Sequence, residues 1–237
     1  MAVGILYAMK KEAAGLLTNL DSPSVISGIP CWPLPGGHVL CAGGVGKVNA
    51  AMAAQLLIDR FSVTEILNPG CAGALTDLPF GTIVVGSDCV QHDVDTTLAG
   101  DPPGFVSTVE VVRFPCARSG QTAETLKRKG LRAVTGTIAT GDWFGRDYPR
   151  AESIRDRWGA LVCDMEAAAA AQVCLRNGIP FLALKSVSDH LFSPCQEREY
   201  TEHFGGAMAS LDAAVTACLM EESIWNASPA FPSITTN

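Results

Sequence analysis

Three acidic residues stand just beyond short apolar runs in this chain. Glu12 follows Val3 to Ala8, Glu166 follows Leu161-Val162-Cys163, and Asp189 follows Phe181 to Val187 with Ser188 between. Carboxylates brought to one cleft supply a general acid, a general base and a clamp for hydroxyl groups. Taken singly, each has a plainer reading. An acid in a first helical turn is favoured by the helix dipole, and Asp189 fits an Asx turn. Gly43-Gly44-Val45-Gly46-Lys47 suggests a backbone cradle for phosphate, but it lacks the Gly-x-x-x-x-Gly-Lys-Ser/Thr spacing. Its plainer reading is a tight strand-to-helix turn in which glycine supplies positive φ. Met9 and Phe144 are by default core residues.

These residues need elements to hold them. Apolar runs that read as buried strands alternate with helical patterns. Strands are expected at Val3 to Ala8, His38 to Ala42, Glu65 to Asn68, Thr82 to Gln91, Ala133 to Thr140, Leu161 to Cys163 and Phe181 to Val187. Helices are expected at Lys10 to Leu17, Lys47 to Arg60, Thr122 to Lys129, Ala167 to Arg176 and Tyr200 to Met220. Val48, Met52 and Leu56 form one face of the second helix. Phe204, Met208, Leu211, Val215 and Leu219 form a stripe on the last. Residues 20–37 read as short strands and turns, and 92–108 as a loop. Asn177-Gly178-Ile179-Pro180 reads as a helix stop. Such alternation predicts a mostly parallel sheet flanked by helices. Ligands of such sheets sit beyond the carboxyl ends of the strands, where the three acids stand.

Composition narrows the class. Of 237 residues, 48% are hydrophobic and 17% charged, which excludes a disordered chain. One domain over 1–222 is expected, with a flexible tail over 223–237. The net charge of −7, and the lack of basic runs interleaved with aromatics, argue against a nucleic-acid partner. No apolar stretch approaches the ~20 residues of a membrane span. Met1 to Leu6 opens in a strand pattern without a basic leader, so no signal peptide is expected. Nine cysteines without a Cys-x-x-Cys pair read as reduced thiols of a cytoplasmic protein. The four histidines show no metal-ligand spacing.

Seven segments in order resemble one family, the 5′-methylthioadenosine/S-adenosylhomocysteine nucleosidases. Gly4-Ile5-Leu6-Tyr7-Ala8-Met9-Lys10-Lys11-Glu12 resembles their Gly-x-x-x-Ala-Met-x-x-Glu opening. Gly44-Val45-Gly46-Lys47-Val48-Asn49-Ala50-Ala51 is similar to Gly-Ile/Val-Gly-Lys-Val-x-Ala-Ala. Asn68-Pro69-Gly70-Cys71-Ala72-Gly73 is similar to Asn-x-Gly-Ser/Thr-Ala-Gly. His92-Asp93-Val94-Asp95, Thr140-Gly141-Asp142-Trp143-Phe144, Asp164-Met165-Glu166-Ala167 and Ser186-Val187-Ser188-Asp189 complete the series. The set spans about residues 4–220. The resemblance implies the nucleoside phosphorylase-like α/β fold, a central mixed, mostly parallel twisted sheet flanked by helices.

It also implies hydrolysis of the N-glycosidic bond of a 5′-substituted adenosine, releasing adenine without metal or organic cofactor. By that resemblance Asp189 is the general acid at purine N7, oriented by Ser188. Glu12 holds and deprotonates the attacking water. Glu166 binds the ribose hydroxyls, with Met165 and Met9 near the sugar. Phe144 stacks on the purine, and Cys71, Ala72 and Gly73 line the water and base sites. A homodimer is implied, with the 96–108 loop of relatives reaching the partner's site. Three departures stand out. Lys185 replaces a common Arg, Cys71 replaces Ser or Thr, and 96–108 leaves the pattern. Rival readings are a hydrolase of futalosine or 6-amino-6-deoxyfutalosine, a purine nucleoside phosphorylase, and a catalytically silent binding protein. The oxopurine version tends to carry Asn at the Asp189 position. Glu199, expected on the solvent side of the last helix, should tolerate Gln.

Overall fold

The first strand sets the logic of the molecule. In β1 (Val3–Tyr7) every residue is buried. Val3, Ile5 and Tyr7 pack into one apolar cluster and Leu6 into another, so the period-two alternation feeds two faces. The computed structural model describes residues 2–18, 20–221 and 224–225.

β1 pairs in parallel with β4 (Val39–Ala42) and β5 (Glu65–Ala74). Beyond β4 the sheet continues antiparallel through β3 (Ile29–Pro33) and β2 (Ser24–Ile26). On the other side it closes on itself. β5 pairs in parallel with β10 (Phe181–His190), which pairs antiparallel with β6 (Ile83–Gln91). β6 pairs in parallel with β8 (Ala133–Thr140), β8 in parallel with β9 (Ala160–Asp164), and β9 antiparallel with β5. β7 (Arg113–Pro115) adds to the side of β6. The expected mixed sheet flanked by helices is therefore present, and its closure into a five-strand ring is an addition.

Helices cover both faces. α2 (Lys47–Phe61) and α5 (Ala167–Asn177) pack together on one. Their buried sides are mostly alanine, Ala50, Ala53 and Ala54 against Ala167 to Ala171, which lets the two backbones approach closely. On the other face α6 (Gln196–Met220) buries Met208, Leu211 and Val215. α3 (Ser119–Arg128) adds to this layer.

Six sequence expectations change. The expected helix over Lys10 to Leu17 is a turn followed by α1 (Ala14–Leu17), because Glu12 folds back onto the end of β1. The expected apolar face of α2 is split: Leu56 is buried, but Val48 is 80% and Met52 44% exposed, since the alanine face makes the contact with α5. An unexpected helix, α4 (Tyr148–Trp158), is capped by the Asp147 carboxylate and ended by Gly159 in a left-handed conformation. The apolar core passes the expected boundary at 222, because Ile224 and Trp225 are buried and the Trp225 indole donates to Cys218 O at 2.7 Å. The rest of the expected tail, 226–237, lies outside the described residues. Glu199 and Phe144 are the other two and are treated with the site. All nine cysteines are free, and Cys41 and Cys163 are buried. Among the described residues no helix is long and apolar enough to cross a membrane.

Candidate active site

The carboxyl ends of β1, β5, β9 and β10 meet, and each delivers part of one polar cluster. After β1 the chain turns sharply, with Glu12 N–H donating to Met9 O. This swings the Glu12 carboxylate back into the protein, where it is 2% exposed. Its Oε2 accepts from Met9 N at 2.9 Å. Its Oε1 accepts from Cys71 N at 3.0 Å and from the Cys71 thiol at 3.2 Å. Burial, then the Glu12 charge, push the Cys71 thiol well above its ordinary pKa, so it stays a donor.

β9 delivers Asp164 and, one turn on, Glu166 at the N-cap of α5. Asp164 Oδ2 accepts from the N–H groups of Ala167 at 2.8 Å and Glu166 at 3.3 Å, capping the helix. Its Oδ1 accepts from Thr140 Oγ1 at 2.5 Å. Lys185 from β10 completes the set, with Nζ 2.9 Å from Asp164 Oδ2 and both side chains buried. Burial alone would drive the Lys185 ammonium towards neutrality. The carboxylates of Asp164 and Glu166 outweigh it and hold its pKa above the ordinary lysine value. Glu166 Oε1 accepts from Gly46 N at 2.9 Å. Burial, and then the Asp164 charge, raise the Glu166 pKa to about 7 against the pull of Lys185 and Gly46 N–H.

The glycine turn at 43–47 is now explained. Gly46 has φ of +98°, a conformation that favours glycine and turns its N–H to Glu166. Lys47 N, the first residue of α2, donates to Asp142 Oδ1 at 2.8 Å. Lys47 Nζ pairs with Asp93 Oδ1 at 2.6 Å, and Asp142 N donates to Asp93 Oδ2 at 3.0 Å. The phosphate reading of this turn gives way, because the chain's own carboxylates take its backbone donors. Asp93 and Asp142, in two of the segments singled out above, brace the N-terminus of α2.

Asp189 forms a second centre beside the first. The pairing of β10 with β5 slips between Val187 and Asp189, a bulge that brings Ser188 alongside its neighbour. Ser188 Oγ donates to Asp189 Oδ1 at 2.6 Å and lies 3.4 Å from Ala72 O. Gln196 Nε2, from the first residue of α6, donates to Asp189 Oδ2 at 2.9 Å. Burial raises the Asp189 pKa, and these two hydrogen bonds oppose the rise. Gly73 runs alongside: a Cβ there would fall 2.9 Å from Asp189 Oδ2 and 2.4 Å from Leu191 Cδ1. A cavity of about 20 Å³, room for one water, lies among Gly73, Trp143, Phe144, Asp189 and Gln196.

The structure thus gathers Glu12, Cys71, Ala72, Gly73, Glu166, Ser188 and Asp189. Met9 and Met165 are half-buried, and Met9 contributes its backbone N–H to Glu12. Phe144 is a correction to the default core reading, since it is 57% exposed at the mouth, its ring edge-on to Tyr200 at 5.7 Å. Glu199 is the other correction. Its Oε2 accepts from His190 N at 3.0 Å and its Oε1 from Ser193 Oγ at 2.5 Å, so it clamps the turn between β10 and α6. The sequence reading missed Gln196 and gave no role to Thr140 and Asp164, although both stand in its motif segments. Asp164 carried a signal, as an acid three residues before the first residue of an alanine-rich helix. Among the described residues no three His, Cys, Asp or Glu side chains gather so as to hold a metal ion.

Comparison with known proteins matches the chain to one family. Residues 2–221 match the phosphorylase superfamily. A 5′-methylthioadenosine/S-adenosylhomocysteine nucleosidase of Geobacillus kaustophilus is 38% identical over 200 residues, covering 80% of this chain and 84% of the relative. The S-adenosylhomocysteine nucleosidase of Streptococcus pyogenes, solved with 5-methylthiotubericidin, superposes with a TM-score of 0.85 at 28% identity, covering 92% of this chain and 96% of that one. Futalosine hydrolase of Helicobacter pylori shares the fold, with a TM-score of 0.86 at 24% identity, 92% of this chain and 97% of that one. Matched over residues 2–221, and 38% identical to a curated relative across most of both chains, this protein belongs to the phosphorylase superfamily, in its 5′-methylthioadenosine/S-adenosylhomocysteine nucleosidase family.

Proposed function

We propose that the protein hydrolyses the N-glycosidic bond of 5′-methylthioadenosine, S-adenosylhomocysteine or a related 5′-substituted adenosine and releases adenine. One observation carries the reading. A buried carboxylate, Glu12, is pinned by two backbone N–H groups where the cluster would need cations to take up phosphate. A carboxylate repels phosphate and orients water.

The chemistry then divides between the two centres. Asp189, its pKa raised by burial, gives a proton to purine N7 as the C1′–N9 bond breaks. Adenine leaves neutral. Glu12 takes a proton from the water whose oxygen bonds to C1′. Glu166 accepts hydrogen bonds from the ribose hydroxyls, which strengthen as the sugar becomes cationic. Met9 and Met165 pack near the sugar, Phe144 stacks on the base, and Cys71 to Gly73 line the water and base sites. Ser188 orients Asp189. Positioned acid and base groups contribute ~10²–10⁴-fold each.

A futalosine-type substrate is the second reading. It is favoured by the departure of 96–108 from the pattern where the 5′ group would be enclosed. A homodimer also accords with the exposed apolar residues Val45, Val48 and Met52 at the start of α2, and with fully exposed Leu98 on that loop. Sedimentation at micromolar concentration should show two chains, and a monomer alone would count against it. Adenine release from a panel of 5′-substituted adenosines and 6-amino-6-deoxyfutalosine tests the substrate class. Release from none of them would end the proposal.

A further inference from the structure

We propose that Gln196 is a positioning residue for Asp189: its carboxamide holds Oδ2 facing the cleft and, by turning over, follows that oxygen as it gains and loses a proton. The inference rests on the reading of Asp189 as the acid. The two oxygens of Asp189 are not equivalent. Oδ1 accepts from Ser188 Oγ, whose oxygen also lies 3.4 Å from Ala72 O. Oδ2 lies beside Gly73, where an added Cβ would come within 2.9 Å of it, and Gly73, Asp189 and Gln196 line the small cavity together with Trp143 and Phe144. The oxygen that can reach an entering purine is therefore Oδ2, and Gln196 Nε2 holds it at 2.9 Å.

Gln196 is fixed well enough for this task. It is 4% exposed and opens α6 directly after a turn that is tied down three times. Glu199 accepts from His190 N and Ser193 Oγ, and Arg146 donates to Pro194 O at 2.7 Å. The chemistry of the side chain then matters. An ionised Asp189 needs a donor at Oδ2, which the Gln196 NH₂ supplies. A protonated Asp189 carries O–H at Oδ2 and needs an acceptor. Half a turn of the carboxamide presents Oε1 instead. A lysine or arginine could serve only the first state and a carboxylate only the second. When a purine takes the proton at N7, the same half turn restores the N–H contact.

Other groups facing Asp189 are Glu199 and Tyr200 on α6, His190 on β10, Cys71 on β5 and Cys163 on β9. Burial pushes the Cys71, Cys163 and Tyr200 pKa values up, so these remain uncharged. Glu199 raises and His190 lowers the Asp189 pKa. Neither changes when only Gln196 is replaced.

The test uses Gln196→Met, which keeps length without donor or acceptor, and Gln196→Glu. Asp189 is titrated in the free protein by its infrared carboxyl band, assigned by its loss in Asp189→Asn. The pH profile of kcat is recorded with the best adenosine of the panel. Gln196→Met should move the Asp189 midpoint up by about one pH unit, the roughly tenfold change left when the ionised form loses a charge-assisted hydrogen bond and the protonated form only an ordinary one. The alkaline limb of kcat should move up with it while the plateau falls about tenfold and KM stays within about threefold. Gln196→Glu should move the midpoint further. A merely structural role would lower the plateau and leave midpoint and limb in place, and that result would overturn the inference. The infrared midpoint needs no turnover. A shifted midpoint in a protein that releases no adenine would sink the proposed function and leave the positioning of Asp189 standing.

Discussion

Replacing Lys185 with Met keeps the buried stem and deletes the only ammonium within salt-bridge reach of Asp164 among the described residues. Breaking one side of a buried ion pair costs about 3–5 kcal/mol. Asp164 would keep its hydrogen bonds from Thr140 and from the Glu166 and Ala167 N–H groups, so a loss of about 3 kcal/mol is expected at pH 8. That is a large share of the ~5–15 kcal/mol by which a domain is stable. The loss should depend on pH, and the sign follows from Glu166. Its folded pKa, about 7, lies above the ordinary 4.5, so the stability carried by its proton is full below about 4.5 and is lost as pH rises through 7. Without the ammonium this pKa climbs further, and more protein relieves itself by protonating Glu166. The gap between wild type and Lys185→Met should therefore be smallest at pH 5 and widen towards pH 8.5. Urea unfolding across that range measures it. A gap below about 1 kcal/mol, a value typical of exposed pairs, or one independent of pH would refute the buried network.

Glu166→Gln should raise stability at pH 8 by up to about 3 kcal/mol, from the distance between 4.5 and about 7, and leave it unchanged below pH 4.5, while kcat/KM falls. Thermal melts at the two pH values and initial rates separate these effects. Asp189→Asn should lower kcat by ~10²-fold or more with KM nearly constant, since the amide keeps the shape but transfers no proton. A kcat within about threefold of wild type, on the scale of general acid catalysis, would remove Asp189 from the acid role. Glu199→Gln keeps one acceptor for its clamp and should cost about 1 kcal/mol, read as a lower Tm. No change would return Glu199 to the solvent-facing role first expected of it.

What the sequence made legible was local. The buried runs became β1, β8 and β10 because a short, mostly apolar run is a property of the strand itself. The three acids were findable because each stands where its own strand ends. Pairing was not legible: nothing near Phe181 says that β10 will lie between β5 and β6 and close the ring. Gln196 escaped for the same reason, since its bond to Asp189 spans a seven-residue turn. Met52 and Val48 misled because apolar character was read as burial, while small alanines made the true contact with α5. α4 was passed over because its run is polar, although Asp147 before Pro149 and the closing Gly159 are the usual marks of a helix.

The central claim is that water, not phosphate, attacks the sugar. The most direct measurement is turnover of 5′-methylthioadenosine by the purified protein in ¹⁸O-labelled water, with and without phosphate, read by mass spectrometry of both products. Free 5-substituted ribose carrying one ¹⁸O at C1, formed at the same rate without phosphate, is the expected result. A sugar 1-phosphate, or adenine release that stops when phosphate is withdrawn, would contradict the role given to Glu12 and move the protein to the phosphorolytic side of its superfamily.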